Sequence, residues 1–127
     1  MVTIGNHLKM NVASDLKTRT RDFYRGLLGL KSISSPADNL DLYEFPGGFV
    51  LGLFFLDDRA ELLTDKDYLK ATWLELKVDD LLQWKQRLQS FGVTEIAYDD
   101  PSRFAEPYPR FFFQAPGGQV FRLAPLN

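Results

Sequence analysis

The sequence predicts an α+β fold built from two βαβββ modules, and three observations predict it. The stretch PGGFVLGL at Pro46–Leu53 recurs as PGGQVFRL at Pro116–Leu123, with five of eight positions identical. Each half opens with an alternating strand that ends at a valine, Val12 or Val78, just before a helix. The order of elements between those valines and the two PGG turns is then the same in both halves. At 127 residues, with 45% hydrophobic residues and eleven Phe, the chain has the apolar area for a buried core.

The elements follow in order. In IGNHLKMNV, about residues 4–12, Leu8, Met10 and Val12 alternate with His7, Lys9 and Asn11, which is the period of a half-buried strand. Ser14 or Asp15 caps a helix in which Leu16, Thr20, Phe23 and Leu27 form one buried stripe to about Leu28. GLKS ends the helix. LKSIS and LDLYEF read as short strands separated by SPADN, and FPGG turns the chain into the strand FVLGLFF. The charged stretch Asp57–Lys70 reads as a linker, so module one is residues 1–56 and module two is residues 71–127.

Module two repeats the plan. ATWLELKV is a strand with Leu74, Leu76 and Val78 opposite Trp73, Glu75 and Lys77. DDLLQWKQRLQSFG is a helix with an acidic start, buried positions Leu81, Trp84, Leu88 and Phe91, and Gly92 as its terminator. VTEIAY, RFFFQ and QVFRLAP are strands. The loop Asp99–Pro109 contains Pro101, Pro107 and Pro109 and has the length of a lid, a dimer element or a plain long loop.

Composition narrows the function. The net charge of −2, with Lys and Arg dispersed, offers no basic stripe for nucleic acid. There is no cysteine, and hence no disulfide, thiol nucleophile or zinc ribbon. No run of about 18 apolar residues marks a membrane span, so a cytoplasmic protein is expected. No P-loop, dinucleotide fingerprint or nucleophile elbow is present.

Strand alternation sorts the side chains onto two faces. His7, Lys9, Asn11, Val50, Gly52, Phe54, Trp73, Glu75, Lys77, Val120 and Arg122 share the mixed face. Leu8, Met10, Val12, Phe49, Leu51, Leu53, Leu74, Leu76, Val78, Phe121 and Leu123 share an apolar face suited to helix cover.

The segments NVASDLKTRTRDFYRGLLGL, LYEFPGG, LKVDDLLQWKQRLQSFGV and FFFQAPGGQVFRL resemble the signatures V-x-D…FY…LGL, V-D-D…L…GV and F-x-x-P-x-G-x-x-x-x-L of the vicinal oxygen chelate superfamily. That superfamily includes glyoxalase I, bleomycin-resistance proteins and extradiol dioxygenases. The match spans nearly the whole chain, and its specificity lies in the order and spacing of the segments. Ala13–Asp22 is one or two residues longer than the usual pattern.

The resemblance implies a curved mixed sheet with a concave ligand cleft and helices on the convex face. It also implies four chelate positions in metal-dependent members, one on the first and one on the fourth strand of each module. Those positions, typically His or Gln, Glu, His and Glu, fall here on His7, Gly52, Trp73 and Arg122. One of the four is a ligand: glycine and tryptophan carry no donor, and arginine is a permanent cation. Glu75 is the best neighbouring substitute, which makes two donors at most. A divalent metal is therefore not expected, and no other cofactor is implied.

The cleft residues each admit two readings. His7, the only histidine, is a general base or a partly exposed strand residue. Arg122 clamps an anionic group or pairs with Glu75 across the sheet. Trp73 stacks a ring or fills the space a metal would take, and Gly52 leaves room opposite it or marks a bulge. The leading expectation is a metal-independent protein that binds a small, partly apolar ligand, with an anionic group the natural partner of Arg122, through His7, Lys9, Phe54, Trp73, Glu75 and Arg122. The alternative is an enzyme of the same superfamily, a lyase of the lactoylglutathione lyase type, an isomerase or a dioxygenase. In it His7 and Glu75 would move protons and Arg122 would stabilise an enediolate-like anion. A third reading is a non-catalytic dimerisation module with a closed cleft. The resemblance implies a homodimer.

Overall fold

The first alternating stretch forms strand β1 (His7–Ala13), and a helical segment follows it. Next come β2 (Lys31–Ile33), β3 (Leu40–Glu44) and β4 (Val50–Leu56). The structure, a computed structural model, describes residues 1–57, 71–96 and 111–126. Within it the chain divides into two compact units, Met1–Glu61 and Leu62–Asn127. In the first unit the strands order β1-β4-β3-β2, with β1 parallel to β4 and the other pairs antiparallel.

The second unit repeats this plan with β5 (Trp73–Val78), α2 (Leu81–Phe91), β6 (Thr94–Ile96), β7 (Phe112–Gln114) and β8 (Val120–Pro125). Its strands order β5-β8-β7-β6, with β5 parallel to β8. Each unit is therefore β-α-β-β-β, as the duplicated pattern predicts, and the fold is α+β. The linker beyond Asp57 and the loop Asp99–Pro109 lie outside the described residues.

The repeated PGG turn has the same internal bonding in both units. Phe45 N–H donates to Phe49 O at 2.8 Å and Gly48 N–H to Phe45 O at 2.9 Å. Ala115 N–H donates to Gln119 O and Gly118 N–H to Ala115 O, both at 2.8 Å. Gly48 (φ 96°) and Gly118 (φ 98°) sit in left-handed backbone that glycine adopts without a Cβ clash. The motif recurs because both fourth strands are launched by the same turn.

The first helical segment departs from the regular helix expected to Leu28. It is a 3₁₀ turn (Ser14–Leu16), a short α1 (Lys17–Arg21) and a π turn (Asp22–Leu27), with Leu28 N–H reaching back to Phe23 O at 2.9 Å. A π turn absorbs one extra residue without breaking the helix, and it begins at Asp22, where the stretch Ala13–Asp22 ends. The buried stripe is also shorter than expected. Thr20, Phe23 and Tyr24 are buried, whereas Leu16 and Leu27 are only half-buried.

In the second unit Asp80 caps α2 by accepting from Gln83 N–H at 3.0 Å, and Gly92 ends it at φ 94°. Of the four positions expected to be buried, only Leu88 is fully so; Leu81, Trp84 and Phe91 are half-buried. Trp84 turns its ring to the helix start instead, donating Nε1–H to Asp79 at 3.2 Å, with Arg87 4.0 Å over the ring.

Strand registers divide the side chains as the alternation predicts. His7, Lys9 and Asn11 lie opposite Val50, Gly52 and Phe54, while Leu8, Met10 and Val12 lie opposite Leu51, Leu53 and Phe55. Trp73, Glu75 and Lys77 lie opposite Val120, Arg122 and Ala124. The mixed face buries Leu40, Val50, Ile96, Phe112 and Val120, and the second face buries Val12, Leu51, Leu53, Leu76, Val78, Phe121 and Leu123. On it, Phe113 stacks on Phe121 with centroids 5.4 Å apart, and Lys85 of α2 sits 5.5 Å from the Phe111 centroid.

Candidate functional site

The mixed face of each unit holds the candidate ligand residues. In the first unit, register places His7, Val50, Glu44 and Lys31 in one row across all four strands, and Lys9, Gly52, Leu42 and Ile33 in the next. His7 and Lys9 are exposed and Phe54 is half-buried. Gly52 is buried in regular strand pairing, with no positive φ. It marks no bulge, which corrects that expectation.

What occupies the space at Gly52 decides its chemistry. A Cβ built there would stand 2.9 Å from Lys9 Cγ, 3.0 Å from Leu42 Cδ2 and 3.5 Å from Leu40 Cδ1. The volume a carboxylate would need is filled by a lysine stem and two leucines. A lysine stem covers apolar surface readily while its ammonium stays in water.

In the second unit the fourth-strand position is Arg122, whose Cζ lies 5.9 Å from the Trp73 ring centroid. Trp73 is held edge-on against Phe112, with centroids 5.6 Å apart and ring planes at 85°. Phe112 belongs to a buried apolar cluster with Ile96 and Val120, against which Ala71 packs. Trp73 itself remains 40% exposed. Glu75 is the strand partner of Arg122 but aims its carboxylate at Lys77, with Oε1 3.9 Å from Nζ. Trp73, Glu75 and Arg122 thus come together on one face of one unit, and His7, Lys9 and Phe54 on the equivalent face of the other.

The residues at the four chelate positions do not fit a divalent ion. Hard or borderline cations take three or four N, O or S donors. Here Gly52 and Trp73 offer none, Arg122 is a cation, and the space beside Gly52 is taken by Lys9. Among the described residues, no group of three or more His, Cys, Asp or Glu side chains converges as a metal site.

Two features were not anticipated from the sequence. The first lies on the helix-covered face of the first unit. Arg21 forms a two-pronged pair with Asp41, Nε and Nη2 each 2.9 Å from a carboxylate oxygen, and Arg25 approaches to 3.5 Å. Tyr43 donates its hydroxyl to the same carboxylate at 2.5 Å and stacks on the fully buried Tyr24. Burial pushes the Asp41 carboxyl up. The hydrogen bonds from Arg21 and Tyr43, with the charges of Arg21 and Arg25, outweigh that and hold it below the usual carboxylate range. Burial, then Asp41, raise the Tyr43 hydroxyl, and burial, then Tyr43, raise that of Tyr24. The network pins the helix to its sheet. Its signal was the lone Asp in LDLYEF, in phase with the core residue Tyr43.

The second feature is a surface pocket of about 360 Å³ where the chain leaves the helix, lined by Leu28, Lys31, Glu44, Phe45 and the Gly47–Gly48 turn. Lys31 and Glu44 are strand partners on the mixed face.

No family model matches the chain, and no curated protein does. Solved structures match across nearly its full length. One is a mutant of the fosfomycin resistance protein FosX from Listeria monocytogenes, complexed with Mn(II) and 1S,2S-dihydroxypropylphosphonic acid. It has a TM-score of 0.68 at 13% identity, covering 98% of this chain and 93% of FosX. A glyoxalase/dioxygenase from Nostoc punctiforme has a TM-score of 0.70 at 18% identity, covering 94% of this chain and 88% of its own. Lactoylglutathione lyase from Agrobacterium tumefaciens has a TM-score of 0.59 at 16% identity, covering 98% and 95%. All three are vicinal oxygen chelate superfamily members.

The fold is the vicinal oxygen chelate fold. At these identities the likeness concerns the fold; the activities named belong to those neighbours. Within this chelate fold, the two fourth-strand positions hold a glycine covered by a lysine and an arginine beside a tryptophan. Among the described residues no helix is long and apolar enough to cross a membrane.

Proposed function

We propose that the protein is a metal-independent binder of a small, partly apolar, anionic molecule on the mixed face of its sheets. The observation that carries this reading is the replacement at the two fourth-strand positions. Where metal-dependent members are expected to carry carboxylates, this chain has Gly52 under the stem of Lys9 and Arg122 beside Trp73. A guanidinium pairs with an anionic group directly, without an intervening metal. The buried cluster of Ile96, Phe112 and Val120 beneath Trp73 supplies the apolar part. The FosX neighbour is complexed with both Mn(II) and a phosphonic acid; in this chain the protein's own cation takes the place of the ion.

The test is metal content and thermal shift. Protein purified without chelator, then exposed to Mn(II), Ni(II) or Zn(II) and desalted, is expected to hold well under one ion per chain, with an unchanged Tm. About one ion per chain, lost on His7→Ala, overturns the reading.

A further inference from the structure

We infer that the pocket between the helix exit and the PGG turn of the first unit binds a small zwitterion of the α-amino acid class. Its carboxylate would meet Lys31, its ammonium Glu44, and its side chain the apolar wall of Leu28, Leu30 and Phe45. The two charged residues are cross-strand partners on β2 and β3, positions where opposite charges can pair with each other. Among the described residues, neither side chain has an ion pair or a hydrogen bond, and both line the pocket instead.

The second unit shows what is particular to this place. Glu44 lies opposite Val50, and its counterpart Gln114 lies opposite Val120. Gln114 donates from Nε2 to the Gly118 carbonyl at 3.2 Å and so binds its own turn. A carboxylate only accepts and cannot do this; in the first unit the Gly48 carbonyl accepts from Asn6 Nδ2 at 2.6 Å. Across the strands Gln114 faces Thr94, where Glu44 faces Lys31. One backbone plan thus carries a neutral pair in one unit and two unpaired opposite charges in the other.

The walls are preset, which lowers the cost of binding. Leu28 N–H bonds Phe23 O at 2.9 Å, Leu30 N–H bonds Tyr24 O at 3.0 Å, and Phe45 N–H bonds Phe49 O at 2.8 Å. Beyond their chain neighbours, no atom lies within 4 Å of a Cβ built on Gly29, Gly47 or Gly48, so the backbone there is open to a ligand. At about 360 Å³ the pocket is at the small end of ligand sites, which run to about 1,000 Å³. A simple anion would be repelled by Glu44 and a simple cation by Lys31; a molecule with both charges on one carbon suits both.

The experiment is an amide NMR titration of the full chain, near neutral pH, with L-leucine, N-acetyl-L-leucine, L-leucinamide and glycine. Leucine is expected to shift the Gly29, Gly47 and Gly48 amides saturably. N-acetylleucine, without the ammonium, and leucinamide, without the carboxylate, should each bind about 10- to 100-fold more weakly. Glycine, without the apolar side chain, should be about 10-fold weaker. Glu44→Gln should erase the advantage of leucine over N-acetylleucine, and Lys31→Gln its advantage over leucinamide. The probe series on the unaltered chain decides the question even where a variant fails to fold. No saturable shift of those glycine amides at millimolar leucine, or either blocked probe binding as tightly as leucine, overturns the zwitterion site. Leucine binding that neither folded variant weakens overturns it as well.

Discussion

Replacing Gly52 by alanine tests whether the first fourth-strand position is closed by packing. The backbone there is ordinary strand, so alanine adopts it and gains about 0.5–1 kcal/mol over glycine from reduced freedom of the unfolded chain. Against that, the new Cβ would meet Lys9 Cγ at 2.9 Å and Leu42 Cδ2 at 3.0 Å. The leucine methyl is a chain end and can rotate away. The lysine Cγ is next to its Cβ and cannot move without moving the whole side chain. Overpacking of this kind costs about 1–3 kcal/mol, so Gly52→Ala is expected to destabilise by about 1–2 kcal/mol net. Lys9→Ala, at an exposed position, should change stability by no more than about 0.5 kcal/mol. The double variant should return to within about 0.5 kcal/mol of Lys9→Ala alone, a coupling of about 1–2 kcal/mol. Urea unfolding followed by circular dichroism measures all four corners. A neutral or stabilising Gly52→Ala, or strict additivity with Lys9→Ala, would mean the space beside Gly52 is open and refute the reasoning. The same packing predicts that Gly52→Glu alone restores no metal binding.

Two further outcomes concern stability. Asp41→Asn removes the charge that Arg21 and Arg25 surround while keeping the shape, and should cost about 3 kcal/mol by denaturant titration near neutral pH. Because the Asp41 carboxyl is held below its unfolded value, its contribution is fully present above about pH 4. It fades as pH falls through the lower folded value, so the gap between wild type and Asp41→Asn should close toward acid pH. Asp80→Ala removes the cap that accepts from Gln83 N–H and should cost about 1 kcal/mol, read as a lowered urea midpoint at unchanged slope.

Much of the fold was legible because strand alternation and turn chemistry are local. The two-residue period of IGNHLKMNV and ATWLELKV put His7, Lys9, Trp73 and Glu75 on the mixed face, and the observed registers agree. The repeated PGG marked the two fourth strands, since a positive-φ glycine declares itself wherever the chain must turn that way. The first helix was less legible. A stripe drawn at 3.6 residues per turn runs on from Phe23 to Leu27, but Leu27, at the end of the π turn, is only half-buried. A π turn is imposed by fitting an extra residue against a sheet, and no local pattern announces it.

By itself, then, the sequence determined the doubled βαβββ plan, the two faces of each sheet and which residue types stand at the first- and fourth-strand positions, because these depend on side-chain type and spacing along the chain. Tertiary structure decided what surrounds those positions. That the stem of Lys9 fills the space at Gly52, that Arg122 lies over the Trp73 ring, and that Asp41 ties Arg21 to Tyr43 are all consequences of strand register and packing. Those contacts join residues distant in the chain, and only the folded backbone sets the ångström-scale distances on which steric exclusion and charge pairing depend.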